Sequence, residues 1–410
     1  MSAMEARRYI QDLLIVPVGT SGSTAFFIIS HIMRELTGIS TFKAIAFASG
    51  IDKEFYLKNK LLPKEDIVEI TEYGTANDSR RAETHYLNKK AYIKDLLSQK
   101  EPFDSVLITC FAGGGTARCA ALFAKDILEE CSGSNGFPKV LVVVKLPTYN
   151  STPGMIRNSR DLLCRLCMLW EKFRDQLLIV VFSDSVGLRN LSPSLRSWLN
   201  EKGIRWPDAS NAPVGDWCGT ILAAYIRAQT SVSYFLTIAT HRSSEYGPFS
   251  IPIICRSELS VSGKTTGKRK FLFKKKMKGS EKILGRSELK QQLLSLVDSL
   301  RSAISRTTFG DIEFNLKDTA GVYGCLWAPK VKDPNEQQKE IEEFRTALET
   351  QLKKMGAKET HSDLLSFYEE TSMMDILAVL RGVRFRTSNG KVDSEEIEKK
   401  AREGCTDLLI

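Results

Sequence analysis

Hydrophobic positions in the first half of the chain gather into short continuous runs at Leu13–Val18, Phe42–Phe47, Asp104–Cys110, Val140–Val144 and Leu177–Phe182. Between them the spacing changes to a helical rhythm, over a stretch ending near Gly38, a segment from Asn77 through Leu97, Ala117–Glu130 and Ile156–Phe173. Continuous apolar strands alternating with helices imply an α/β architecture, a parallel sheet covered on both faces. Ile67–Ile70 is shorter and reads as an edge strand, and Asn77 suits a helix cap. Ser192–Leu199 predicts a short helix. Val214–Phe235 predicts a long one whose Trp217, Ile221, Leu222, Tyr225, Ile226 and Val232 make it a core element.

The second half is less regular. Ser250–Cys255 reads as a strand, Ser287–Ser305 as a helix capped by Ser287, and Asp311–Phe314 with Val322–Ala328 as strands around a turn at Lys317–Gly321. Glu336–Met355 is a charged amphipathic helix, Met373–Leu380 a strand continued at Val383–Phe385, and Val392–Ile410 a charged helix with a short apolar end.

The polar residues that matter lie just past the strand ends, where ligands bind in such sheets. Gly113, Gly114, Gly115 and Thr116 separate the strand Asp104–Cys110 from the helix Ala117–Glu130. A glycine loop at a helix N-terminus lets backbone N–H groups approach an anion. Gly19-Thr-Ser-Gly-Ser-Thr24 stands in the same relation to the first strand. It is neither G-x-G-x-x-G nor a P-loop with its lysine, and by itself it could equally be a tight connection. Asp216 sits in the first turn expected of the long helix, either as a capping aid or as a carboxylate that accepts hydrogen bonds from a base. A dinucleotide-dependent oxidoreductase is disfavoured. The glycine fingerprint is missing, and the second strand ends in Ser49-Gly-Ile-Asp52 instead of a clean acidic ribose ligand.

Composition narrows the class. The 410 residues are 42% hydrophobic and 26% charged, enough for two domains or one domain with a large second lobe. Met1–Gln11 lacks an apolar signal core, and no apolar run reaches about 18 residues without charge, so a cytoplasmic location is expected. The nine cysteines show no metal-ligand spacing and read as core residues of a reducing compartment. With four histidines, a histidine metal centre is not expected, and no metal-ligating protein residue is assigned. The formal charge of +9 suits an anionic ligand. Much of it falls between Lys264 and Lys278, around Phe271-Leu-Phe273, which reads as a solvated hairpin or as a site for an acidic protein or nucleic acid.

This order of strands, polar loops and long helix resembles the tubulin/FtsZ superfamily over roughly the first 240 residues. Gly113–Thr116 is similar to the first four residues of that family's G-G-G-T-G-[ST]-G signature, from which Ala117-Arg118-Cys119 departs. Gly19, Thr20, Ser21, Gly22 and Ser23 resemble its first phosphate loop. The stretch Gly74–Asp78, with Gly74 and Asn77, resembles the loop around the terminal phosphates. Pro147–Arg157, with Pro147 and Arg157, resembles the ribose-side loop. Ser183 and Asp184 occupy the place of the polar pair after the sixth strand, and Asp216 matches the residue that touches the guanine ring.

The resemblance implies a GTP-binding Rossmann-like domain over 1–212, a central helix and following loop over 213–248, a smaller α+β C-terminal domain over 249–391 and a charged helix or tail over 392–410. It implies GTP or GDP with Mg²⁺, head-to-tail self-association into filaments, and GTP hydrolysis completed across the subunit interface. A non-polymerising, catalytically weak regulator acting through a partner protein is the alternative. The family's catalytic loop carries acidic residues, whereas Leu236–Gly247 offers only Glu245 as a candidate to position water. Arg118 has three open destinations: solvent, a phosphate or a subunit interface. A first helical turn ordinarily favours acids.

Overall fold

A computed structural model of the chain describes residues 10–72, 78–131, 138–147, 151–183, 191, 193–204, 208–227, 231–240, 247–258, 312–315, 321–327, 359–363, 373–387 and 390–404, with a few helical positions between 291 and 354. The first elements are β1 (Leu13–Pro17), α1 (Gly19–Thr37), β2 (Lys43–Ala44), β3 (Ala46–Ser49), α2 (Gly50–Lys58), β4 (Ile67–Thr71), α3 (Ser79–Asn88) and α4 (Lys90–Lys100). They are followed by β5 (Ser105–Phe111), α5 (Ala117–Glu130), β6 (Lys139–Leu146), α6 (Pro153–Lys172), β7 (Leu177–Ser183), α7 (Pro193–Glu201), α8 (Ala212–Arg227) and α9 (Val232–Thr240). The remainder comprises β8 (Phe249–Glu258), β9 (Ile312–Asn315), β10 (Gly321–Trp327), β11 (Glu359–Asp363), β12 (Met373–Arg381), β13 (Arg384–Thr387) and α10 (Ser394–Arg402).

Nine strands form one mixed sheet in the order β11-β10-β12-β8-β7-β6-β5-β1-β2. From β2 to β8 every pairing is parallel; β8 with β12 and β12 with β10 are antiparallel. The expected parallel sheet is therefore the first half of a larger mixed one. The strands beyond residue 249 continue it through Ile179↔Phe249 and Val180↔Ser250. The run Phe42–Phe47 divides at Ile45, so β2 follows β1 while β3 pairs with β4 in a separate two-stranded sheet.

Strand pleat explains the layers. Leu14, Val16, Val106, Ile108, Val142 and Val144 face one core with Phe123 and Ile127 of α5 and Leu162, Leu163 and Leu166 of α6. Their neighbours Leu13, Ile15, Leu107, Leu141 and Val143 face the other, with Phe26, Ile29 and Met33 of α1 and Trp217 and Ile221 of α8. Each fully buried side chain of this size contributes about 1.5–3 kcal/mol, which is why both cores follow from unbroken apolar strands.

Several expectations need correction. The long helix over Val214–Phe235 is two helices, α8 and α9, and the second is started by Ser231, whose hydroxyl accepts the Ser233 N–H at 3.2 Å. The cap of α3 is Asp78, not Asn77: its carboxylate accepts from the N–H groups of Arg80 and Arg81. The strands expected around Lys317–Gly321 do not pair with each other, because β9 joins β13 and β10 joins β12. Cys110, Cys119, Cys131, Cys167 and Cys218 are buried free thiols as expected, whereas Cys164 is disulfide-bonded. The terminal helix expected over Val392–Ile410 is shorter, α10. It starts at the cap Asp393 and docks Ile397 and Ala401 into the α5–α6 core.

One packing detail carries a pH dependence. His31 of α1 stacks on Trp198 of α7, with ring centroids 3.8 Å apart and planes within 5°. Its Nδ1 is buried without a hydrogen-bond partner among the described residues. Burial, then Arg34 and Lys202, push the imidazole from 6.5 down to about 4. The unfolded chain thus binds the proton that the folded chain refuses. This stability is complete above about pH 6.5 and is lost as the pH falls towards 4. Discounted for partial exposure, the loss is about 1–2 kcal/mol. Urea unfolding at pH 7 and pH 5 is expected to show a smaller pH difference in His31→Phe than in the parent protein. Equal differences would remove His31 as the cause.

Candidate functional site

The order β5-β1-β2 places a topological switch between β1 and β5. After β1 the chain leaves to the α1 face, and after β5 to the α5 face, so a crevice opens at the carboxyl ends of these two strands. Gly19 begins α1 there with φ +67°, and a Cβ on it would lie 2.3 Å from Thr116 Oγ1. The first glycine-containing turn and the Gly113–Thr116 loop are therefore in direct contact.

The two turns also expose the same chemistry. The first N–H groups of a helix have no partner within it. Neither α1, starting behind Val18, nor α5, starting behind Thr116, has a side-chain cap or an acid in its first turn. Ser49, Asp78, Thr152 and Asp393 cap α2, α3, α6 and α10, whereas α4, which runs on from α3, is uncapped like α1 and α5. Among the described residues, no acceptor takes the N–H of Gly113, Gly115 or Thr116. Two uncapped helix starts and a glycine loop converging on one crevice form a cradle for an anion.

Other predicted residues take varied places. Thr20 is exposed at the rim. Ser21 Oγ donates to Asn211 Oδ1 at 2.5 Å, while Ser23 Oγ turns back onto Gly19 O at 2.9 Å. Gly22 packs against the backbone of β1 and β5, where a Cβ would lie 2.7 Å from Thr109 O. Pro147 is buried after β6, Arg157 is exposed on α6, and Ser183 is buried at the end of β7. Asp216 falls in the second turn of α8, beyond the reach of the helix N-terminus. It is buried, and it accepts from Thr220 Oγ1 at 3.4 Å. Gly74, Asn77, Asp184, Glu245 and the segment Lys264–Lys278 lie outside the described residues.

Arg118 reaches neither solvent nor the loop's open side. It is 4% exposed, and its guanidinium pairs with Asp161 of α6, Nε to Oδ2 at 2.6 Å and Nη2 to Oδ1 at 3.0 Å, and with Glu83 of α3. In place of the three destinations open to it in the sequence, Arg118 makes an ion pair between helices, which satisfies a buried cation where the first helical turn would not.

Sequence reasoning missed four contacts. Asn158 Nδ2 donates to the carbonyls of Gly113 and Gly114 at 3.3 and 3.4 Å. Lys145, buried at the end of β6, lies 4.9 Å over the Phe111 ring and donates to Ser210 Oγ at 2.6 Å. Ser210 and Asn211 precede α8, so Lys145 and Ser21 together hold the start of that helix against β6 and α1. The available signals were a lysine ending an apolar strand and polar residues, Asn158 and Asp161, on the apolar face of α6. Burial pushes the Cys110 thiol up to about 12 and raises that of Cys119, so neither flanking cysteine is a nucleophile at neutral pH.

Among the described residues no helix is long and apolar enough to cross a membrane, and no cluster of three or more His, Cys, Asp or Glu residues could hold a metal ion. The structure is an α/β fold with a mixed sheet and a crevice at its switch point. No protein-family model matches the chain, and no curated protein matches it. Solved structures do. CetZ2 from Haloferax volcanii, in a GTPγS-bound protofilament, aligns over 97% of this chain and 100% of its own with 16% identity and a TM-score of 0.64. The GDP-bound CetZ1 monomer from the same organism aligns over 96% and 99%, with 16% identity and a TM-score of 0.63. TubZ from Bacillus thuringiensis serovar israelensis, in a GTPγS-form protofilament, aligns over 98% and 93%, with 13% identity and a TM-score of 0.56. The chain thus shares the fold of these solved structures.

Proposed function

We propose that this protein binds a guanine nucleotide in the β1–β5 crevice and assembles head to tail into filaments, with GTP hydrolysis completed between subunits. The observation that carries the reading is the contact of Gly19 with Thr116, which brings two sets of unpartnered N–H groups to one point at the switch of the sheet. The fold shared with CetZ and TubZ, both seen as nucleotide-bound protofilaments, supports the choice of ligand and assembly. Gly19–Ser21 and Gly113–Thr116 hold the phosphates in this reading, with Gly74 and Asn77 around the terminal one. Pro147, Arg157, Ser183 and Asp184 line the ribose side, and Asp216 faces the base. Mg²⁺ balances the phosphate charge.

Phosphoryl transfer needs both charge stabilisation and an oriented nucleophile. Glu245 is the one carboxylate between Leu236 and Gly247, and it is assigned to orient water. That scarcity also supports the second reading, a nucleotide-bound regulator with little turnover that works through a protein partner. GTP turnover measured against protein concentration tests both. Assembly-completed catalysis rises faster than linearly, and Glu245→Ala lowers it by about 10²-fold. Linear turnover would sink the shared site, unchanged turnover in the variant would remove Glu245, and failure to bind GTP or GDP would sink both readings.

A further inference from the structure

Three helices meet directly behind the glycine loop at a cluster of two arginines and two carboxylates, of which Arg118 and Asp161 are buried and Glu83 and Arg165 half-buried. Arg118, in the first turn of α5, grips both oxygens of Asp161 on α6 and reaches Glu83 on α3. Arg165 closes the ring, with Nε 3.2 Å from Asp161 Oδ2 and Nη1 3.3 Å from Glu83 Oε1. The cluster is charge-balanced. Its shared carboxylates leave little freedom to the backbone that carries Arg118, only two residues beyond Thr116.

The same face of α6 also holds the loop itself. Met155, Asn158 and Asp161, spaced by three, form one stripe on the helix. A Cβ on Gly113 would lie 3.0 Å from Met155 Cβ, and Asn158 takes the carbonyls of Gly113 and Gly114. Because the peptide is trans, turning the Gly114 carbonyl towards Asn158 aims the Gly115 N–H away from α6. The donor geometry of the cradle is thus set from behind by α6, and Arg118 locks α6 to α5 and α3.

We propose that Arg118 is a positioning residue for the anion cradle. It acts through Asp161 and Glu83, without touching the ligand, to hold the Gly113–Thr116 donors in their ligand-accepting arrangement. The ligand-affinity part rests on the nucleotide reading given above; the positioning part does not.

Hydrogen–deuterium exchange of the nucleotide-free full chain, together with titration by a fluorescent GTP analogue, tests it. In Arg118→Met, exchange of the hydrogen-bonded amides of Gly114, Ala117, 119–121 and 155–161 is expected to rise at least tenfold while α1 is unchanged, and analogue affinity to fall at least tenfold. Arg118→Lys should restore protection only in part, since an ammonium cannot span both Asp161 oxygens and Glu83. Should Arg118→Met fail to fold, Arg118→Met with Asp161→Asn leaves no uncompensated buried charge on Asp161 and carries the same expectation. Unchanged exchange around the loop in a folded variant would overturn the proposal. So would a rise shared equally by α1, because Arg118 would then serve the fold as a whole. A parent protein that binds no guanine nucleotide would defeat the nucleotide reading, while the exchange result would still decide the role of Arg118.

Discussion

Gly19→Ala is expected to lower nucleotide affinity by about 10²-fold, equivalent to about 2.7 kcal/mol, and to destabilise the chain as well. Two costs combine. At φ +67° an L-side chain pays about 1–2 kcal/mol. The new methyl would also lie 2.3 Å from Thr116 Oγ1, and overpacking of that kind costs about 1–3 kcal/mol. Because the contact joins the two halves of the cradle, relief comes either by turning Thr116 about χ1 or by moving one set of N–H donors from the other. Adding Thr116→Ala separates the terms: it removes the overlap but leaves the backbone strain. The double variant is therefore expected to regain part of the affinity and about half of the lost stability, read by ligand titration and urea midpoint. Full affinity in the single variant would place the anion elsewhere.

Gly215→Val is expected to produce the largest loss of stability, about 3 kcal/mol or more. Helices α1 and α8 approach so closely here that a Cβ on Gly215 would lie 2.7 Å from Ile28 Cβ and 2.8 Å from the Ala25 carbonyl oxygen. A backbone oxygen inside a helix cannot step aside, so the helices must part and loosen the core around Phe26 and Trp217. Gly219→Ala, one turn on, is the control. Its Cβ would meet only Ile32 side-chain atoms, at 3.1–3.2 Å. The gain in helix propensity, about 1 kcal/mol, offsets the small shift that Ile32 must make. Chemical denaturation should rank Gly215→Val far below Gly219→Ala, and equal losses would contradict the close approach. Since α8 begins at the Ser210–Asn211 contacts with Lys145 and Ser21, Gly215→Val should weaken nucleotide binding too.

The strands were readable because a strand buried on both faces must be apolar throughout, as Val140–Val144 and Leu177–Phe182 are. The two glycine turns were readable because a close backbone approach leaves no room for a side chain. The break between α8 and α9 was harder to see. The lapse in the apolar rhythm is only five residues long, Arg227 to Ser231, and one serine hydroxyl at Ser231 marks the restart. Asp216 was placed a turn too early because α8 begins at Ala212, two residues before the start predicted at Val214.

Arg118 shows where local reasoning ends. In the sequence it is a cation in a helix's first turn with three conceivable destinations. Its carboxylates lie 35 and 43 residues away on different helices, and only the packing of α3, α5 and α6 brings them together. The same holds for Lys145 with Ser210, and for Gly19 with Thr116. By itself the sequence determined an α/β chain with glycine-rich turns at the carboxyl ends of its strands, because periodicity and turn chemistry are local properties. Tertiary structure alone decided that two of those turns touch, which helix stripe holds them, and that the sheet continues beyond residue 249. Contacts between distant segments depend on strand order, and strand order is not written in any local pattern.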